Sequence, residues 1–310
     1  MLSSVRYRLR GMVRNSVRWI ARRLPSSIVT QAANSLLSSY NFADELQRMQ
    51  QADRVTTQIP EMSSFRGERL QQYVLASIEP WTRFPLTPTT IPGMLTRAEE
   101  KYYTWIAGFY EGVGDVVEIG AWLGRSTSVL VQGLLKNPKF SGHKLHVFDG
   151  FTWFETMNKW MPSDMRSRTP QVGESFEHLF REQTAEFAEH LDCRRMRLAA
   201  NFGGCLCDDT IPELTWSGGP IELLFIDCGG TLDVNETWFR ALEKSFIPNR
   251  TLIVMQDWQN FKSVPYPCWV HTKQFTDLHA DRLRLLHEIK EGGIACFLYT
   301  SPAGHRQPTG

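Results

Sequence analysis

No stretch of the sequence approaches the roughly 18 uninterrupted apolar residues that a membrane-spanning helix needs, because Arg, Asp, Gly or Pro interrupts each run early. No C-x-x-C pair and no His-rich spacing that would hold zinc is present. The six cysteines (Cys193, Cys205, Cys207, Cys228, Cys268 and Cys296) lie late in the chain and read as reduced thiols. The apolar h-region of a secretory signal is also missing, since arginines stand in its place, which together with the thiols predicts cytosolic exposure. Excess charge of either sign is lacking: 34 Lys+Arg against 33 Asp+Glu leave a formal net charge of +1 and no overall field to attract nucleic acid. With 42% apolar, 22% charged and 12% aromatic residues, 310 residues can bury a full core. Disorder and collagen-like repetition are thereby excluded, and one large domain with an appendage is the expected size.

Charge is nonetheless uneven. Residues 1–43 contain seven arginines (6, 8, 10, 14, 18, 22 and 23), no lysine and no acid. On a helical wheel Arg10, Arg14, Arg18 and Arg22 share one face, and Val5, Leu9, Met12, Val13, Val17, Ile20 and Leu24 the opposite one. Trp19 sits at the boundary and Pro25 stops the helix. Three readings stay open for residues 1–24: peripheral contact with an anionic membrane, a cleaved mitochondrial transit peptide, or a helix that packs on its own domain. Residues 1–50 therefore read as a basic amphipathic helix and linker. Residues 51–94, marked by Pro60, Pro80, Pro85, Pro88 and Pro92, read as a connecting or lid-like region with one short helix near 66–77.

A catalytic-size domain is expected over residues 95–300, with 301–310 as a tail. It opens with a helix capped by Thr96 and Glu99 in a capping box, carrying Tyr102, Trp105, Ile106 and Phe109 on one face and ending at Gly112 and Gly114. From residue 115 strands and helices alternate. Strands are expected at 115–119, 144–148, 195–199, 221–226, 251–255, 284–289 and 294–299, with helices at 126–136, 174–190, 234–245 and 268–281. Such alternation predicts an α/β fold, a largely parallel sheet with helices on both faces. The closely spaced last two strands, joined through Glu291-Gly292-Gly293, predict an antiparallel hairpin at the sheet edge. Ligands then belong at the carboxyl ends of the strands.

The first strand runs into Val117-Glu118-Ile119-Gly120-Ala121-Trp122-Leu123-Gly124-Arg125-Ser126-Thr127. Its G-x-x-x-G spacing lacks the second glycine of a pyrophosphate-binding loop, where Trp122 stands, so a nicotinamide dinucleotide is disfavoured. Glu118, two residues before the first glycine, suits a cationic or amine-bearing ligand instead. This segment resembles the first motif of the class I S-adenosylmethionine-dependent methyltransferases, nearest the branch of the macrocin-type sugar O-methyltransferases, over about residues 95–300. The resemblance implies a Rossmann-like seven-stranded, mostly parallel sheet with an antiparallel last strand, here preceded by the N-terminal helical extension.

It also implies S-adenosyl-L-methionine as cofactor, held by Glu118, Gly120, Gly124, Ser126, Asp149, Gly150, Asn201, Phe202 and Asp227. In that family an acid ending the second strand holds ribose hydroxyls, which Asp149 of His146-Val147-Phe148-Asp149-Gly150-Phe151 supplies. Acids at the ends of the fourth and fifth strands hold a divalent metal, which would make Asp227 and Asp257 ligands of Mg2+. This chain departs from the pattern: Gln256 stands where the family has a further acid, and Cys228-Gly229-Gly230 follows Asp227. Asp257 is the first expected base and His271 the second, while Asp233 either adds an oxygen ligand or caps the helix near Val234. Trp153, Phe154, Trp160, Trp258 and Trp269 are candidates for lining an acceptor pocket, and the aromatic, Met-rich insert 153–172 for a lid.

The expected function is methyl transfer to a hydroxyl of a sugar, glycan or other small molecule, without nucleic acid. A catalytically silent binding or scaffold protein is the alternative. A homo-oligomer stays open, and so do a cytoplasmic, membrane-associated or mitochondrial location.

Overall fold

The computed structural model describes residues 79–83, 89–198, 201–202, 205–206, 210–228, 230–262, 267–289 and 291–300. The expectations for residues 1–24, for the helix near 66–77 and for the tail 301–310 lie outside the described residues. Among the described residues no helix is long and apolar enough to cross a membrane.

Seven strands form the main sheet: β1 (Asp115–Ile119), β2 (Leu145–Asp149), β3 (Leu191–Arg195), β6 (Ile221–Ile226), β7 (Leu252–Met255), β8 (Leu283–Glu288) and β9 (Ala295–Tyr299). The short pair β4 (Asn201–Phe202) and β5 (Cys205–Leu206) stands apart. The order across the sheet is β3-β2-β1-β6-β7-β9-β8. All pairings from β3 to β7 are parallel, whereas β9 is antiparallel to both β7 and β8. The expected seven-stranded, mostly parallel sheet with an antiparallel last strand is thus present, and β8 forms its edge.

Side chains alternate between two cores. Val116, Leu223, Phe225, Leu252 and Val254 point to one face with the aromatic helix α1 (Arg97–Ala107) and α2 (Arg125–Leu135). Val117, Ile119, Leu224, Ile226 and Ile253 point to the other, under α4 (Leu232–Leu242) and α5 (Pro267–Leu278), where Trp238 meets Phe275 edge-on at 5.2 Å. Burial on both faces explains why β6 and β7 read as unbroken apolar runs.

Local chemistry moved several boundaries. The capping box forms as expected, with Glu99 N donating to Thr96 Oγ1 at 3.3 Å and Thr96 N to Glu99 Oε2 at 2.7 Å. However, α1 stops at Ala107, with Gly108 as its C-cap, ahead of Gly112. The single helix expected over 174–190 is α3 (Glu177–Gln183) followed by a 3₁₀ segment, Ala185–His190. The break falls at Thr184, whose hydroxyl donates to Phe180 O at 2.8 Å. The third strand lies at 191–195 and not 195–199. Met196 and Leu198, which lent that stretch its apolar alternation, line a cavity instead. The cap of α4 is Thr231, whose hydroxyl accepts from Val234 N at 3.2 Å, and not Asp233.

Candidate active site

Two adjoining cavities open at the carboxyl ends of β1, β2, β6 and β7, where a parallel sheet places ligands. The first is apolar. Ile119, Phe148, Met196, Leu198, Ile211 and Leu214 wall it, with Gly120, Asp149, Gly150, Asp227 and Cys228 at the strand ends. The second is polar, lined by Thr96, Glu99, Asp227, Gln256, Asp257 and Asn260 among others. Met94 and Asp227 border both.

Asp149 organises the first cavity. Its Oδ2 accepts from Ala121 N at 2.8 Å and Trp122 N at 3.1 Å, and its Oδ1 from Phe151 N at 2.6 Å. Burial pushes its pKa up, against the pull of those three N–H donors. Trp122 and Phe151 both adopt positive φ, +42° and +46°, so the carboxyl fastens two left-handed positions, one after β1 and one after β2. One acceptor position stays open on Oδ1.

Gly120, at φ +87°, lets β1 turn where a Cβ would come within 2.5 Å of Asp227 O. Gly124 has φ +93° and is the N-cap of α2. Glu118 is 2% exposed and lies behind the cavity wall. Its Oε2 accepts from Thr127 Oγ1 at 2.6 Å and its carboxyl also from Ser126, on the first turn of α2. Burial raises its pKa to about 7. The backbone of Asn201 and Phe202 pairs with Cys205 and Leu206 in the small β4–β5 ribbon.

The second cavity gathers acids. Burial first, then the charges of Asp257, Glu118, Glu99 and Asp149, push Asp227 well above the usual carboxylate range. Asp257, at φ +58°, is raised by burial despite a hydrogen bond from Asn260. Glu99, read from the sequence only as a cap, is raised to about 7, mainly by burial. Tyr103 of α1 points into this group. Its hydroxyl donates to Gln256 Oε1 at 2.9 Å and stays protonated, because burial and the charges of Asp227, Glu99, Glu118 and Asp257 oppose its ionisation.

His271 sits elsewhere, in a groove beside Thr231, Asp233, Glu236 and Arg240 of α4 and its cap, and borders neither cavity. The expected insert borders both cavities: Phe154 and Met157 wall the apolar one, and Trp160, 50% exposed, the polar one. Its base is pinned by Trp153 Nε1 donating to Asn158 Oδ1 at 2.7 Å and by the Thr152–Ser175 bridge. Trp153 and Trp258 belong to the core and line neither of these cavities.

As a divalent-metal site the polar cavity fits poorly. Asp227 and Asp257 offer carboxylate oxygens, but Glu99 Oε2 already accepts from Thr96 N and Gln256 Oε1 from Tyr103. Among the described residues no group of three His, Cys, Asp or Glu could hold a metal ion.

A family described as "Methyltransferase domain" matches residues 117–258, just under half of the chain. No curated protein matches. Among solved structures, the O-methyltransferase NovP is 17% identical, with 66% of this chain and 80% of that chain covered and a TM-score of 0.42. The calicheamicin methyltransferase CalS11 is 15% identical, with 78% and 94% covered and a TM-score of 0.42. The mycinamycin-pathway methyltransferase MycE, in complex with Mg and SAH, is 14% identical, with 81% and 66% covered and a TM-score of 0.37. The strand order, the antiparallel β9 and the family match over β1 to β7 give the described residues a Rossmann-like methyltransferase fold.

Proposed function

We propose that the chain is an S-adenosylmethionine-dependent methyltransferase acting on a hydroxyl of a sugar, glycan or other small molecule. The observation that carries this reading is the sharing of Asp227 by an apolar cavity and an acid-lined polar one. A donor seated in the first would lie against an acceptor in the second. The apolar walls suit a flat purine, and the open acceptor position on Asp149 suits a ribose hydroxyl. Bound S-adenosylmethionine supplies an already activated, positively charged methyl group.

Alignment is the main demand on the protein, and positioning can remove roughly 7 to 11 kcal/mol of barrier. Asp149 holds the two turns at the mouth, while the carboxyl of Asp227 faces the junction of the cavities. Asp257, at the acceptor side only, takes the hydroxyl proton, and the burial that raises its pKa makes it a stronger base than an exposed aspartate. The residues do not fit a divalent metal, and no step is routed through one. Phe154, Met157 and Trp160 exclude water from the junction as a lid.

Incubation of the purified chain with labelled S-adenosylmethionine and a panel of sugars, phenols and lipid-linked glycans tests the reading. Label in one acceptor class, with S-adenosylhomocysteine as product, supports it. No turnover with any of them favours the silent binding protein. The Arg-rich residues 1–24 support peripheral contact with anionic lipid, so their deletion is expected to release the chain from anionic liposomes with cofactor affinity unchanged.

A further inference from the structure

One side chain sets the character of the polar cavity. Gln256 leaves β7 opposite Asp227, its backbone N–H donating to Ile226 O at 2.9 Å. Its amide oxygen is occupied by the Tyr103 hydroxyl, 153 residues away in sequence, at 2.9 Å. Tyr103 has little freedom to release it: the residue is 1% exposed, and its ring stands edge-on to Phe225 of β6 at 5.2 Å. The Tyr103 bond holds the amide by its oxygen, so the N–H2 is the edge that Gln256 offers as donors to the cavity it lines with Asp227 and Asp257. An amide N–H2 presents hydrogens and no lone pair, so it donates to an oxygen and repels a cation. The same residue with its amide reversed, or with a carboxylate in its place, would instead add a third oxygen ligand beside the two aspartates.

We propose that Tyr103, by fixing the Gln256 amide, makes this cavity a hydrogen-bonding site for an acceptor's oxygen and not a site for a divalent cation. Gln256 is then a binding residue for the acceptor and Tyr103 a positioning residue that acts through it. The identity of the ligand as a methyl acceptor rests on the function proposed above; the exclusion of the cation does not.

Calorimetric titration of the full chain with Mn2+, and separately with Mg2+, tests the proposal. The wild type is expected to give no saturable heat at millimolar ion. Q256E is expected to gain one-site binding that is lost again in Q256E/D227N, and Y103F to gain weaker binding as the freed amide turns its oxygen inward. Saturable one-site binding by the wild type that D227N abolishes would overturn the proposal, as would a folded Q256E that binds no ion. Melting curves establish that each variant is folded, and the wild-type titration decides even if a variant is not. S-adenosylmethionine titrated into the same samples separates the two ideas: absent donor binding defeats the methyltransferase reading and leaves the cation result standing.

Discussion

Asp149, at the end of β2, holds the backbone of Trp122, in the turn after β1, through a 3.1 Å hydrogen bond from Trp122 N to Oδ2. The same carboxyl takes Ala121 N and Phe151 N, so one side chain keeps two strained turns in place. An amide at this position keeps one accepting oxygen and turns an N–H2 toward backbone donors. D149N is therefore expected to cost about 1–3 kcal/mol of stability in the free protein. Its donor affinity should fall roughly tenfold or more, since the cavity mouth loses its shape along with an acceptor. Calorimetric melting and donor titration measure the two losses, and an unchanged melting temperature would mean that the turns hold without it.

Glu118 affects stability with the opposite sign to an ordinary salt-bridged acid. Its folded pKa of about 7 lies above the ordinary 4.5, so the buried carboxyl is favoured in its neutral form. The stability this implies is fully present below pH 4.5 and is lost as pH rises through 7, amounting to up to about 3 kcal/mol. E118Q cannot ionise. The unliganded variant is expected to be more stable than the parent at pH 8 and no more stable at pH 4, in denaturant titrations at the two pH values. Because Glu118 reaches Ser126 and Thr127 and not the cavity, its donor affinity should fall less than that of D149N.

Local signals were the legible ones. The capping box at Thr96 and Glu99, the glycine turn after β1 and the final hairpin each depend on residues a few positions apart, and each forms. Glu118 and Thr127 are nine residues apart across that same turn, so an acid followed by Ser-Thr at a helix start was a readable pair. The Tyr103–Gln256 bond joins residues 153 apart, and no pattern along the chain announces it. Nor does one tell that Glu99 serves both as a cap and as a cavity wall. The face that α5 turns to α4 depends on packing, so His271 could not be kept from the list of bases by its type alone. Met196 and Leu198 misled for a related reason: apolar residues that line a cavity have the same alternation as a strand.

His287 is a built-in acid weakness. It is 4% exposed, bonded to Tyr102 OH at 2.8 Å and stacked on Trp81, and burial lowers its pKa from 6.5 to about 4. The unfolded chain takes up this proton between pH 6.5 and 4 before the folded one does. Stability from this group is therefore present above pH 6.5 and lost as pH falls through 4, by up to about 3 kcal/mol. Denaturant titrations across that window should show a shallower pH slope in H287Q, whatever its stability at neutral pH. An equal slope would place the acid sensitivity elsewhere.

Trp160 offers its ring to the polar cavity while half exposed, an arrangement suited to covering a bound acceptor. W160A is expected to weaken acceptor binding by about 1–2 kcal/mol, a factor of roughly 5 to 30. Donor affinity should not change, since Phe154 and Met157, and not Trp160, border the apolar cavity. Steady-state kinetics with the acceptor identified by the labelling panel would read this as a raised acceptor KM alone.

Asp227 and Asp257 look alike in sequence and differ in what they face. Asp257 borders only the polar cavity, so D257N removes the proposed base and leaves the donor's surroundings intact. The turnover number should fall roughly 10²- to 10⁴-fold, with donor affinity altered only through the pH at which Asp227 ionises. Asp227 borders both cavities, and D227N is expected to lose donor affinity and turnover together. The aspartates are also linked electrostatically, because the charge of Asp257, after burial itself, raises the pKa of Asp227. Removing Asp257 should therefore let Asp227 ionise at lower pH, moving the acid limb of donor binding to lower pH in D257N. Donor titrations of both variants across pH 4 to 8 separate the roles. If D257N weakens the donor as much as D227N does, the two carboxyls act as one unit and the division between donor and acceptor sides fails.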